Sequence, residues 1–172
     1  MNSWIETYTG LKIDPFNPDP SRICIEDIAH ALSMICRFTG HCKYFYSVAQ
    51  HSVLVAKRCP DEMKLTGLLH DASEAYINDI SSPVKPGLMN YREIEEELWR
   101  AIAGKFGLPH PWVHPKVKEI DRRLCRTEAR DLMYSKGEGW RGAVEPYPER
   151  IFTHKPEYAE EEFLLMYQHL GG

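Results

Sequence analysis

The chain has 172 residues, of which 43% are hydrophobic, 11% aromatic and 27% charged, a composition that excludes disorder and collagen-like order and fits one globular domain. Lys and Arg number 21 against 25 Asp and Glu, so the net charge is −4 and no basic run offers a surface for nucleic acid or anionic lipid. The five cysteines contain no C-x-x-C pair, which favours neither a disulfide framework nor a zinc knuckle. With no signal peptide or apolar span in the sequence, we expect a cytoplasmic protein without nucleic-acid or membrane partners.

The first half of the chain is predicted to be an extended arm followed by three helices. Three prolines between residues 8 and 20 prevent a continuing helix, so residues 1–24 are assigned to the arm. Beyond it, apolar residues recur at spacings of three and four, which is typical of a helix with one buried face. The three helices are predicted over about residues 25–36, 47–58 and 61–76.

The second half is predicted to contain a loop, three further helices and one irregular segment. Turn-forming residues place the loop at 78–87, and the helices are predicted over 91–106, about 116–133, and 156–169. The acidic cluster in the first of these helices is interpreted as a solvated face; it consists of Glu93, Glu95, Glu96 and Glu97. The sequence therefore predicts a single all-α domain of five or six helices, with a core at 25–133 and an irregular segment plus a helix at 134–172.

Two ionisable residues lie where the helical pattern predicts a buried face. His51 shares the apolar stripe of its helix with Val48 and Val55, and Asp121 lies on a stripe with Ile120 and its apolar neighbours. A histidine in this setting is often a hydrogen-bonded core residue. A buried carboxylate must be paired or metal-bound, and the alternative partners for Asp121 are arginines on its own helix: Arg122, Arg123 and Arg126.

The dipeptide His70-Asp71, together with His51 and Asp121, forms a candidate metal site. These four residues supply two imidazoles and two carboxylates on three predicted helices, a nitrogen and oxygen ligand set suited to one divalent cation. The cation is left open among Zn, Co, Mn, Ni, Fe and Mg, with a second ion bound beside substrate phosphates as an alternative. Four ligands leave positions for water and substrate, which is typical of a catalytic site.

The ordered set of His51, His70-Asp71 and Asp121 resembles the signature of HD-domain metal-dependent phosphohydrolases. Four blocks, SVAQHS, HDASE, DISSPVK and VKEID, are similar to those of the 5′-deoxynucleotidase branch and of short phage relatives that include dATP triphosphohydrolases. The likeness covers roughly residues 25–133, and four blocks in order are far more specific than any one. The interval of 19 residues between the two histidines is shorter than in the bacterial deoxynucleotidases.

This resemblance implies roles for five further residues. Glu74, which helical spacing places on the same side as His70 and Asp71, corresponds to a general base, with an exposed helix glutamate as the alternative. Asp79 corresponds to a residue that orients the nucleophile or protonates the leaving oxygen, and its alternative is an ordinary turn residue. Arg37, Phe38 and Lys85 correspond to substrate-binding residues. The alternatives are a cation at a helix end for Arg37 and an ordinary solvent-exposed lysine for Lys85.

The activity implied by the resemblance is metal-dependent hydrolysis of the 5′ phosphoester of deoxynucleotides. Water activated by the metal attacks the α-phosphorus, and the products are nucleoside plus triphosphate or nucleoside plus phosphate. The partner is then a small nucleotide, and relatives of this kind assemble as homo-oligomers. Two alternatives are kept: a nucleotide-binding regulatory module without turnover, and a phosphodiesterase acting on cyclic or signalling nucleotides.

Overall fold

The structure is a computed structural model that describes residues 3–109, 114–140 and 144–172. Over these residues the protein is all-α, as the sequence predicts, with one small antiparallel hairpin of two-residue strands, β1 (Ile5–Glu6) and β2 (Lys12–Ile13). The helices are α1 (Ile25–Met34), α2 (Val48–Ala56), α3 (Lys64–Leu69), α4 (Glu74–Ile77), α5 (Tyr91–Phe106), α6 (Pro115–Leu132) and α7 (Pro156–His169). None of these helices has the length and apolar character that crossing a membrane requires.

The N-terminal arm differs from the predicted extended segment because it folds back on itself. Ile5 pairs with Ile13 across the hairpin, and Ile13 is buried in the core while Ile5 stays partly exposed. A short 3-10 helix, Pro20–Arg22, then leads into α1. Two-residue strands are too short to show an alternating pattern, so sequence periodicity misses them.

The predicted helix over 61–76 is interrupted in the middle. It consists of a 3-10 turn (Asp61–Met63), then α3, then a turn over residues 70–73, and then the single turn of α4. His70 and Ser73, which flank the interruption, keep right-handed helical backbone angles. This turn carries the His70-Asp71 dipeptide, and its geometry brings neighbouring side chains to the same point.

Helix α2 lies at the centre of the packing. It contacts α1, α3, α6 and α7. The sequence predicts one buried stripe on this helix, whereas all but one of its nine residues are buried, since neighbours cover it on nearly every side. The side chain of Ser47 caps its N-terminus by accepting a hydrogen bond from the Gln50 amide at 3.1 Å. Any side chain on α2 is therefore held by the protein core.

The segment after α6 is irregular where it is described, as predicted, and α6 itself fastens it. Arg130 donates to the carbonyl oxygens of Tyr147 at 2.6 Å and Glu149 at 2.7 Å. The neighbouring Asp131 carboxylate accepts from the Ile151 amide at 3.0 Å and from Arg150 at 2.7 Å. These contacts lead the chain back across the domain to the start of α7.

Candidate metal centre

Four side chains from three parts of the chain meet around Nε2 of His51. This atom lies 3.1 Å from Oδ1 of Asp121, 3.3 Å from Nε2 of His70 and 3.6 Å from Oδ2 of Asp71. Nε2 of His70 lies 3.1 Å from the same Asp71 oxygen. Helix α2 supplies His51, the turn after α3 supplies His70 and Asp71, and α6 supplies Asp121.

Both histidines are oriented by their second ring nitrogen. Nδ1 of His51 contacts Oε1 of Glu128 at 2.5 Å, and Nδ1 of His70 contacts the carbonyl oxygen of Gly67 at 2.8 Å. Both partners are acceptors, so each Nδ1 carries the proton and each Nε2 presents a lone pair to the cluster in the neutral ring. Metal-binding histidines in proteins are commonly held in this way.

The donor chemistry of the cluster fits a divalent cation. Ligand atoms about 2.0–2.2 Å from a metal lie roughly 3 Å from one another. Nε2 of His51 lies at this spacing from His70 and from Asp121, and the ligand atoms of all three residues lie within 4.8 Å of one another. Without a positive charge, two nitrogen lone pairs would face two carboxylates. One proton on His51 relieves part of this repulsion: burial and Arg37 oppose it, but Glu128 and Asp121 raise the pKa of His51 to about 9. A divalent cation would offset this negative charge, and His51, His70 and Asp121 are placed so that they can hold a metal ion.

Arg37 lies beside the cluster and is held by two carboxylates. Its guanidinium contacts Asp71 at 3.6 Å and Glu128 at 3.2 Å, and its Nε atom has no hydrogen-bond partner among the described residues. Glu128 is fully buried and accepts a third hydrogen bond from Tyr46 at 2.8 Å. Burial disfavours the charged form of Glu128, but Arg37 and His51 lower its pKa, so the carboxylate stays ionised. The Arg37 side chain therefore pairs with two carboxylates and does not act simply as a cation at a helix end.

Glu74 is buried at the edge of the cluster, so the alternative of an exposed helix glutamate is wrong. It is 6% exposed, and its Oε2 atom has no hydrogen-bond partner within the described part of the chain. Burial and the nearby Asp71 and Asp79 carboxylates raise the pKa of Glu74 well above its usual range. Burial likewise raises the pKa of Asp79. Neither carboxyl group is an ordinary surface group.

Lys85 is engaged by a neighbouring acid that the sequence interpretation placed in solvent. Its Nζ atom donates to Oε1 of Glu95 at 2.8 Å and lies 5.4 Å from the centre of the Tyr91 ring. Burial opposes the charged form, but Glu95 raises the pKa of Lys85, so the ammonium persists. The prediction of a fully solvated acidic face is wrong for Glu95, which is 8% exposed, since its spacing of three from Leu98 puts it on the buried side of α5.

A cavity of about 930 Å³ opens beside the cluster. One part of its wall is charged and is formed by Arg37, Asp71, Glu74, Asp79, Lys85 and Asp121. Another part is apolar and includes Phe38, Met133 and Trp140. The Phe38 and Trp140 rings meet edge to face, with their centres 5.7 Å apart. A smaller cavity of about 200 Å³ shares Asp71 and Asp121 with it and is also lined by His70.

All nine residues to which the sequence assigns a role thus line this cavity or lie in the cluster beside it. The alternative in which Asp121 pairs with an arginine of its own helix is not found among the described residues. Asp121 contacts His51, whereas Arg123 and Arg126 donate to the carbonyl oxygens of Glu145 and Gly137. Sequence reasoning missed Glu128, although its spacing of seven from Asp121 was a usable signal for the same helix face. It also missed Trp140, which lies in an irregular segment without periodicity.

The fold and the cluster define a class: an all-α protein with a His and Asp site able to hold a metal ion. No model of a known protein family matches the chain. It is 44% identical over 140 residues to the uncharacterized protein YfdR of Escherichia coli (strain K12), covering 80% of this chain and 77% of YfdR. It is 35% identical over 168 residues to the uncharacterized protein RCAP_rcc00048 of Rhodobacter capsulatus, covering 90% of this chain and 81% of that protein. The chain belongs to the family of these two proteins.

Proposed function

We propose that this protein is a metal-dependent phosphohydrolase of the HD-domain type that cleaves the 5′ phosphoester of deoxynucleotides. The observation that carries the proposal is the convergence of two imidazole Nε2 atoms and two carboxylates beside a cavity. His51, His70, Asp71 and Asp121 would hold the cation. When bound, a divalent cation supplies Lewis-acid chemistry, since it lowers the pKa of a coordinated water and withdraws charge from a phosphoryl oxygen.

The residues around the cluster supply the remaining parts of such a reaction. Glu74 is buried beside Asp71, and one of its carboxyl oxygens has no hydrogen-bond partner among the described residues, so in its ionised form it can accept a proton from the attacking water. Asp79 has a raised pKa, so it can deliver a proton to the departing 5′ oxygen as the P–O bond breaks. Arg37 and Lys85 stay charged and offset the negative charge that grows on the phosphoryl group.

The lining of the cavity favours a nucleotide over a phosphate ester that has no aromatic base. Its wall combines charged groups near the cluster with the paired rings of Phe38 and Trp140. A phosphoryl group suits the first surface, and a planar heterocyclic base suits the second, because a base stacks on or against aromatic side chains. Its volume of about 930 Å³ is at the upper end of the range typical of small-molecule sites.

The experiment is a panel of deoxynucleoside and ribonucleoside mono- and triphosphates, together with cyclic nucleotides, incubated with Mn²⁺, Co²⁺ or Mg²⁺. Chromatography separates nucleoside, phosphate and triphosphate. Nucleoside with triphosphate or phosphate supports the proposal and assigns the bond that breaks. Binding of nucleotides without any product would replace it with a regulatory module, and turnover of cyclic substrates alone would replace it with a phosphodiesterase.

A further inference from the structure

Two cysteine thiols touch each other at the edge of the cavity, in the loop between α1 and α2. Sγ of Cys36 lies 3.5 Å from Sγ of Cys42, and both residues are partly exposed. A disulfide bond is about 2.05 Å long, so closing this pair requires the two sulfurs to approach by roughly 1.5 Å. The sequence alone gave no reason to pair these cysteines, since five thiols without a C-x-x-C spacing indicate no framework.

The backbone around the two thiols holds them in place. The Arg37 amide donates to the carbonyl oxygen of Tyr46 at 2.9 Å, and the Lys43 amide donates to that of Leu132 at 2.9 Å. These bonds tie both ends of the loop to the start of α2 and the end of α6. The backbone positions that bring the two cysteines together are therefore fixed by the fold.

We propose that Cys36 and Cys42 form a reversible dithiol–disulfide site that controls the loop bearing Arg37 and Phe38. The reaction partner is a small-molecule disulfide such as oxidised glutathione. One cysteine, as thiolate, attacks a glutathione sulfur and releases one reduced glutathione; the second cysteine then displaces the other. Overall, two thiols and one oxidised glutathione give one protein disulfide and two reduced glutathiones.

The consequence for the cavity follows from what the loop contains. Cys42 Sγ now lies 3.7 Å from the Arg37 carbonyl oxygen, and the loop between the cysteines includes left-handed backbone at Phe38, Thr39 and Gly40. Drawing the sulfurs together shifts both ends of this tight loop, and with them Arg37 and Phe38. This effect rests on the proposed function: we expect oxidation to raise the KM for the nucleotide by at least about threefold, because small displacements of binding groups weaken substrate binding.

The test oxidises the folded 172-residue protein with glutathione disulfide at pH 8.5. Burial and the neighbouring Cys36 thiol raise the pKa of Cys42 to about 11, so an alkaline buffer supplies more of the reactive thiolate. The protein is then quenched, its free thiols are alkylated, and it is digested with trypsin under non-reducing conditions. Cleavage after Arg37 and Lys43 separates the cysteines, so the disulfide joins the peptides 23–37 and 38–43.

The matched control is Cys24→Ser, because Cys24 lies in the same tryptic peptide as Cys36. We expect the joined peptides in the wild type and in Cys24→Ser, their absence in Cys36→Ser and in Cys42→Ser, and a fall from five to three alkylated thiols in the wild type. Five alkylated thiols after oxidation, or joined peptides in Cys36→Ser, overturn the site.

Kinetics form a separate arm of the experiment. A KM that is unchanged between the oxidised wild type and the same sample reduced with dithiothreitol overturns control of the cavity. Absence of any nucleotide hydrolysis by the reduced protein counts against the proposed function, and the peptide map then still decides whether the disulfide site exists.

Discussion

Oε1 of Glu128 lies 2.5 Å from Nδ1 of His51, and both side chains are fully buried. The carboxylate also binds Arg37 through its other oxygen, at 3.2 Å. One buried acid therefore orients a residue of the candidate metal centre and a candidate phosphate-binding arginine at the same time. Removing the charge of Glu128 affects both residues. Within the described chain, Nδ1 of His51 contacts no other carboxylate, and Arg37 keeps only the longer contact to Asp71.

Glu128→Gln is expected to weaken divalent metal binding by about 10-fold to 100-fold. The amide keeps the size of the side chain but loses the charge that supports an Nδ1–H on His51. Isothermal titration with Mn²⁺ measures the change, and circular dichroism checks that the variant is folded. The matched control is Tyr46→Phe, which removes another donor to the same oxygen but leaves the carboxylate, and should bind metal nearly as the wild type does. Equal affinity in Glu128→Gln and the wild type would contradict this role.

Asp71→Ala and Glu74→Gln are expected to separate metal binding from turnover. Asp71 contacts both imidazole Nε2 atoms, so its loss should abolish uptake of the cation. Glu74→Gln should retain the metal while hydrolysis falls by about 10²-fold to 10⁴-fold, because an amide cannot accept the proton. Metal content by atomic emission and nucleoside release by chromatography measure the two properties. Loss of metal in both variants would show that the two carboxylates share one role.

Trp140→Ala is expected to raise the KM for nucleotides by about 5-fold to 100-fold, the equivalent of losing one base-stacking contact. The indole meets Phe38 edge to face on the apolar wall of the cavity and is not part of the metal cluster. Trp140→Phe should restore most of the loss. Metal affinity should be the same in all three proteins. A fall in metal binding that parallels the rise in KM would mean that Trp140 supports the fold of the site.

Gly67→Ala is expected to lower the free energy of unfolding by about 1–3 kcal/mol. A Cβ atom at this position would lie 2.7 Å from Sγ of Cys59 and 3.3 Å from the Ala56 backbone, so the Cys59 side chain must shift and the backbone of α2 must give by a few tenths of an ångström. The matched control is Gly104→Ala in α5, where a Cβ meets open space and helix propensity favours alanine. Urea denaturation compares the variants. A Gly67→Ala protein as stable as the wild type would show that the contact between α2 and α3 yields easily.

Asp131→Asn is expected to destabilise the protein at pH 7 by about 1–2 kcal/mol. Burial opposes ionisation, but hydrogen bonds from Arg130, the Ile151 amide and Arg150 lower the pKa of Asp131 from 3.8 to about 2. A lowered folded-state pKa stabilises the protein above the unfolded value, and this stabilisation disappears as the pH falls from about 4 to 2. The difference between wild type and variant should shrink over that range in urea denaturation.

The control for this pH dependence is Asp61→Asn, since Asp61 is an exposed carboxylate paired with Lys64 at the surface. It should change stability little at either pH, because solvent screens exposed pairs. A wild-type advantage over Asp131→Asn that persists unchanged at pH 2 would show that the loss arises from packing and not from the charge.

Sequence periodicity predicts most of this fold, because long helices with one buried face leave a clear signal. The bounds of α5 and α7 match the prediction, and α6 is offset by one residue at each end. The hairpin and the interruption at residues 70–73 left no such signal, since both are shorter than one period of the pattern. Residues 110–113, between the helices predicted over 91–106 and 116–133, lie outside the described residues.

The candidate site was predictable only in part, for reasons that particular residues make clear. An ionisable group on an apolar stripe identifies His51 and Asp121, and the same argument applies to the buried carboxylates of Glu128 and Glu95. Trp140 could not be found this way, because tertiary contacts alone bring its segment to Phe38. The contact between Cys36 and Cys42 likewise depends on how the loop closes.

The three groups that can hold the ion come from separate parts of the chain: His51 from α2, His70 from the turn after α3, and Asp121 from α6. A cation bound by all three would act as a cross-link, closing two long loops that are open in the denatured ensemble. Heat resistance would then rise with the free metal concentration and fall in a chelator. The lifetime of this protein in a cell would in that case follow the supply of the ion.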